Sequence, residues 1–227
     1  ALRRGTLTVL DRALTVLGTA PAPGQTGAGM PRWRLFAGNG LVHAVHSAGY
    51  DTLDVTDPAA PALIAAGSTT QFGWRHLAAD GSGLAVAAVD ANSTDDGPHD
   101  VSLYDVADPS RTDVFLATLP TPGVASAVAL ESGLAYVADG AAGMQVMRYR
   151  LPESSGAGPT VSLVTNATGG SVQEGATLRL TALADDDVLV REVEFLSGDA
   201  VVARDASFPF EQHVVAPSAA EAPRWRL

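Results

Sequence analysis

Two acidic stretches and five histidines hold most of the groups in this chain that could do chemistry. Asp185, Asp186 and Asp187 are adjacent carboxylates, which repel one another unless a cation or water stands between them. Asp90, Asn92, Asp95 and Asp96 gather hard oxygen ligands of the kind calcium prefers, although glycine comes two places later than in an EF-hand loop and no glutamate closes the set. Both stretches are candidate calcium ligands, and solvated turns are the plainer alternative. Calcium is the only cofactor that any residue pattern suggests. His43 and His46 form the one close histidine pair, and three residues apart on a strand they point to opposite faces, which argues against joint chelation. His99-Asp100 flanks the first acidic stretch. Trp33 and Trp74, each followed by arginine, read as packing residues between sheets or as a sugar-stacking stripe.

No Gly-x-Ser-x-Gly elbow, phosphate-cradling glycine loop or His-Glu-x-x-His helix occurs, so no catalytic acid, base or nucleophile is assigned. The 14 basic residues are all arginine and the net charge is −11, which argues against nucleic acid as a partner. Without cysteine there is neither a disulfide nor thiolate chemistry. No apolar run approaches the roughly 18 residues of a membrane span. Ala1-Leu2-Arg3-Arg4 lacks the apolar stretch of a signal peptide, so an export signal is expected upstream.

The elements that must position these groups are short strands in a repeat. Gly-Leu recurs at Gly40, Gly83 and Gly133, 43 and 50 residues apart, a spacing close to the roughly 40–45 residues of a propeller blade. Before each glycine comes a short apolar strand and after it a second, such as Leu84-Ala85-Val86-Ala87-Ala88-Val89, apolar on both faces as a strand buried between two sheets would be. A third strand runs to Asp57-Pro58 in one copy and Asp108-Pro109 in the next, where proline is expected to stop it. A fourth follows at 62–66 and 114–119. The stretch from Asp90 to Pro98 is an insertion in the second copy. Leu7 to Asp11 and Ala13 to Leu17 read as the last two strands of an earlier unit.

Gly133 to Val146, with its Asp139-Gly140 turn, together with the Asp-Pro endings, resembles the LVIVD-repeat propellers of bacterial surface and secreted proteins. The resemblance covers about Gly5 to Pro152. It implies an all-β fold with a partial β-propeller of about three and a half four-stranded blades over 1–152, fewer than a closed ring needs.

A Gly-, Ser- and Pro-containing linker follows at 153–158. Beyond it, alternating segments at 161–164, 175–184 and 190–195 read as strands of an antiparallel sandwich. Glu174-Gly175-Ala176-Thr177-Leu178, the Asp185–Asp187 turn, the Gly198-Asp199 hairpin and Phe208-Pro209-Phe210 resemble bacterial Ig-like domains, implying an incomplete Ig-like β-sandwich over 159–227. Together the resemblances imply a non-catalytic scaffold of an exported bacterial cell-surface or extracellular protein. Its partners would be proteins or glycans, and further domains of the same chain are expected upstream and downstream. A hydrolase or lactonase-like propeller with a central-channel site is the enzymatic alternative, and a purely structural stalk is the third.

Overall fold

The computed structural model describes residues 1–3, 5–25, 33–69, 73–90, 99–150, 156–167, 169, 171–218 and 220. Its elements are strands, apart from one turn of 3₁₀ helix at Gly140–Ala142. The first sheet holds β1 (Leu2–Arg3), β2 (Thr6–Leu10) and β3 (Val16–Pro21) in that order. The second holds β4 (Arg34–Gly38), β5 (Leu41–His46), β6 (Gly49–Asp54) and β7 (Ala62–Ala65), and the third β8 (Trp74–Ala79), β9 (Leu84–Val89), β10 (Asp100–Asp105) and β11 (Phe115–Leu119). The fourth holds β12 (Ala127–Glu131), β13 (Leu134–Ala138) and β14 (Met144–Arg148). All four are antiparallel meanders whose neighbours in sequence are neighbours in space. No sheet closes on itself among the described residues.

The repeating glycines mark hairpins that only such residues build without strain. Asn39-Gly40 (φ 48° and 78°) and Ser132-Gly133 (φ 50° and 76°) are left-handed at both positions, the geometry of two-residue turns whose twist matches that of their strands. Opposite each turn the chain is stitched back alike in the two complete sheets. Val55 N–H donates to Gly40 O at 2.7 Å and Val106 N–H to Gly83 O at 2.8 Å. These stitches correct one expectation. β6 and β10 end at Asp54 and Asp105, three residues before Asp57-Pro58 and Asp108-Pro109. The earlier aspartates turn the chain first, accepting Thr56 and Ala107 N–H at 2.8 and 2.9 Å, and the second pair then caps the next turn through Ala59 and Ser110 N–H. The last strand of the first sheet also starts later than 13–17. Leu14 takes φ 64° in a turn in which Asp11 Oδ1 accepts Thr15 N–H at 2.7 Å.

Successive sheets lie face to face, and alternate residues of one strand serve two different cores. In β5, Val42 and Ala44 join Leu7, Ala20, Ala22 and Leu53 between the first and second sheets. Val45 points the other way, into a core with Tyr50, Trp74, Leu77 and Tyr104. In β9, Ala85, Ala87 and Val89 face that same core, while Val86 and Ala88 face Val128, Ala135 and Val137 of the fourth sheet. Apolar character on both faces of β9 thus has its cause in two-sided burial. The opening strands meet along one side, β4 with β8 and β8 with β12, and on the other side β3 meets β7.

The remaining strands form two small sheets. β15 (Thr160–Thr165), β16 (Thr177–Asp185) and β19 (Glu211–Val215) make one, and β17 (Val193–Ser197) with β18 (Ala200–Asp205) the other. β16 alternates strictly, with Leu178, Leu180, Ala182 and Ala184 buried against Val190, Val193, Phe195 and Phe210. The Phe208-Pro209 bond is cis. Phe208 stacks on Phe36 with ring centroids 6.2 Å apart and sits over Gly38 and Gly81, where a Cβ would come within 2.4 Å of its ring.

Candidate functional site

The acidic residues picked out by sequence are dispersed in their bonding. Asp186 Oδ2 accepts the N–H groups of Val188 and Leu189 at 3.2 and 2.8 Å, so one of its two oxygens closes its own turn. Asp185 ends β16 and lines a cavity of about 360 Å³ with Phe36, His43 and Phe208. Asp187 follows in the same turn. Asp90 pairs with Arg75 at 3.2 Å, and Asn92, Asp95 and Asp96 lie outside the described residues. Among the described residues no three His, Asp or Glu side chains converge as a metal site.

His43 and His46 point to opposite faces of β5, as their spacing requires, and both are buried. His43 stacks on Phe36, meets Tyr50 edge-on and lies 3.3 Å from Thr52 Oγ1. Burial lowers its pKa from the ordinary 6.5 to about 4, so it is neutral at physiological pH. Burial and the nearby Arg34 guanidinium also hold the His76 pKa down. His99 lies beside Asp100 at 3.4 Å. Trp74 is fully buried between Tyr50 and Tyr104 and presents no face for a sugar. Trp33 is half-buried and edge-on to His46 at 5.6 Å. Burial raises the pKa values of Tyr50 and Tyr104, whose hydroxyls have no partner.

The arrangement with the clearest chemical potential is a cavity of about 490 Å³ lined by Pro23, Gly24, Gln25, His46, Ser47, Ala48, Asp51, Ala66, Gly67 and Ser68. Three segments build it: the chain leaving β3, the β5–β6 hairpin and the chain leaving β7. At its wall His46 Nε2 stands 3.6 Å from Asp51 Oδ1, with both side chains almost wholly buried. That separation is too long for a hydrogen bond, and both atoms are without a partner. The other atoms of the pair are engaged: Asp51 Oδ2 accepts Gly24 N–H at 3.0 Å, and His46 Nδ1 accepts Ala48 N–H at 3.3 Å. An Nδ1 that accepts leaves the proton on Nε2. The ring lies flat on Gly24, where a Cβ would fall 2.1 Å from His46 Cδ2. With Nδ1 accepting from the backbone and Nε2 carrying the proton, His46 presents no basic nitrogen to activate a serine in the manner of a triad.

A related stitch recurs at the fourth sheet. Fully buried Asp139 accepts Gly123 N–H on Oδ2 at 2.9 Å and the Thr121 hydroxyl on Oδ1 at 2.7 Å. Each latch joins a hairpin aspartate to the glycine of a Pro-x-Pro-Gly segment, Pro21-Ala22-Pro23-Gly24 or Pro120-Thr121-Pro122-Gly123. Neither segment was singled out in the sequence, and their recurrence is the signal that would have found them.

The two small sheets and their buried core match a known family. Residues 159–222 match the family model of the bacterial Ig domain. This Ig segment therefore contains β15 to β19 and the Asp185–Asp187 turn. It touches the preceding sheets through Phe208, through Leu189 packed over Gly133, and through Ser132 N–H donating to Ala206 O at 2.9 Å. No curated protein matches the chain.

Proposed function

We propose that residues 1–152 are blades of an LVIVD-type β-propeller and that, with the Ig segment, they form a non-catalytic scaffold of an exported bacterial surface or extracellular protein that binds proteins or glycans. The observation that carries the propeller reading is the repeated stitch: successive four-stranded meanders closed by the same glycine carbonyl and the same pair of aspartate turns. Face-to-face packing of the sheets in series, with their opening strands side by side, is what blades around an axis require. The Ig match supports an extracellular setting, where such modules are common. The non-catalytic part is supported by the state of His46, whose nitrogens are not placed to move a proton for a nucleophile. Protease shaving of intact producing cells, with binding of the purified chain to isolated bacterial envelopes, tests the proposal. Release of peptides from this chain by shaving, with saturable retention on envelopes, is the expected result. A chain protected in intact cells and not retained on envelopes would overturn it.

A further inference from the structure

The second and third sheets have four strands each and the fourth has three. One residue begins the difference. The repeating leucines Leu41, Leu84 and Leu134 pair in register with Asp54, Asp105 and Arg148. The two aspartates turn the chain back toward β7 and β11 by accepting Thr56 and Ala107 N–H. Arginine has no acceptor for such a turn. The chain runs on instead to Arg150, which donates to Asp80 Oδ2 at 2.8 Å and to Ser82 O at 3.0 Å on the third sheet. Among the described residues no strand pairs with the outer edge of β14.

The main-chain groups of that edge point outward. Asp139 N–H donates to Gly143 O at 2.7 Å, so the alternation of bonded and non-bonded pairs along the ladder turns the N–H and C=O groups of Met144, Val146 and Arg148 away from β13. In the third sheet the residue matching Arg148 is Asp105, and its N–H donates to Val114 O at 2.9 Å where the fourth strand comes in. Met144 and Val146 are 67% and 51% exposed. Apart from Arg148 at its end, β14 has no charge, proline or bulge to blunt the edge. The opening strands β8 and β12 meet on the opposite side of the sheets, so an incoming strand reaches β14 without passing between them.

We propose that β14 is the acceptor for an extended strand of a partner protein, alternating in apolar residues and led by a carboxylate. The proposal rests on the scaffold reading above and names the kind of protein it would bind. The third sheet supplies the pattern. There β11 lies antiparallel to β10, with Ala117 opposite Leu103 and Leu119 opposite Val101, the positions that Val146 and Met144 hold in the fourth sheet. Asp113 precedes β11 at the end where β10 has Asp105. In the fourth sheet that end carries exposed Arg148, which favours a carboxylate on the incoming strand. Main-chain bonds supply affinity in such an addition, and the alternating side chains supply selectivity.

The probe is a synthetic peptide with the sequence of residues 112–120, titrated into the intact chain and followed by fluorescence anisotropy and amide exchange. Saturable binding with a Kd of about 100 µM or tighter is expected, with exchange slowed at Met144, Val146 and Arg148. N-methylation of the peptide at the positions of Ala117 and Leu119, whose N–H groups would face β14, should weaken binding by about tenfold or more. N-methylation at Leu116 and Thr118 should weaken it less. Val146→Pro removes one outward N–H and leaves the β13 ladder its bonds, and should weaken binding like the first methylation. The methylated peptides decide the matter on the wild-type chain if that variant does not fold. Absence of saturable binding, equal loss from both methylations, or slowed exchange elsewhere than β14 would overturn the proposal. So would a wild-type chain that self-associates through β14 in ultracentrifugation, or whose Met144, Val146 and Arg148 amides are protected before peptide is added, because a second copy or another strand of the same chain then fills the edge. Retention on bacterial envelopes without peptide binding would overturn this inference and leave the scaffold reading standing. Peptide binding at β14 without envelope retention would overturn the scaffold reading and leave the acceptor edge.

Discussion

His43 should make the stability of this chain depend on pH in one window. Its ring is enclosed by Phe36, Tyr50 and Thr52, and burial lowers its pKa from 6.5 to about 4. Between those values the unfolded chain holds a proton at this site and the folded chain does not. Stability therefore rises with pH across the window, is fully present above the unfolded value, and is lost as pH falls toward the folded one. For a shift of this size, lowering the pH from about 7 to about 4.5 removes roughly 2 kcal/mol through His43 alone. Other groups titrate over the same range, His76 among them, so the measurement is a difference between two chains. His43→Asn keeps an acceptor near Nδ1 for Thr52 and removes the titration. Urea unfolding of both chains at several pH values should show the variant less stable at neutral pH, because it leaves a gap. The two stability curves should then converge by roughly 2 kcal/mol on acidification. Parallel curves would refute the assignment of a buried neutral imidazole.

Asp139→Ala removes the acceptor for both Thr121 and Gly123 and should cost about 2–3 kcal/mol in urea unfolding. Gly40→Ala meets a left-handed backbone and a Cβ position 2.4 Å from Thr56 Cγ2, whereas Gly143→Ala meets φ 81° with nothing within 4 Å. Gly143→Ala should lower stability by about 1–3 kcal/mol, because φ 81° with ψ −134° is a conformation that glycine alone enters without strain, and Gly40→Ala, which adds a clash with Thr56 to a left-handed turn, should lower it in the same thermal melts. Phe208→Ala empties the ring seated over Gly38, Gly81 and Phe36. It should cost about 2 kcal/mol, below the value for a fully buried phenylalanine, and separate the unfolding of the Ig segment from that of the preceding sheets in calorimetry.

What could be read in the sequence was whatever is decided locally. Gly40 and Gly133 were visible because a two-residue turn with both positions left-handed admits few residues. β9 was visible because burial on both faces leaves no polar position in Leu84 to Val89. Strand ends were misplaced where a side chain rather than proline turns the chain, at Asp54, Asp105 and Asp11. The three adjacent aspartates read as candidate cation ligands from type and spacing alone, and sequence does not show that Asp186 Oδ2 accepts two backbone N–H groups. The cavity was out of reach for another reason. Gly24, His46, Asp51 and Gly67 come from segments that meet only when two sheets pack, and periodicity within a segment carries no information about such a meeting.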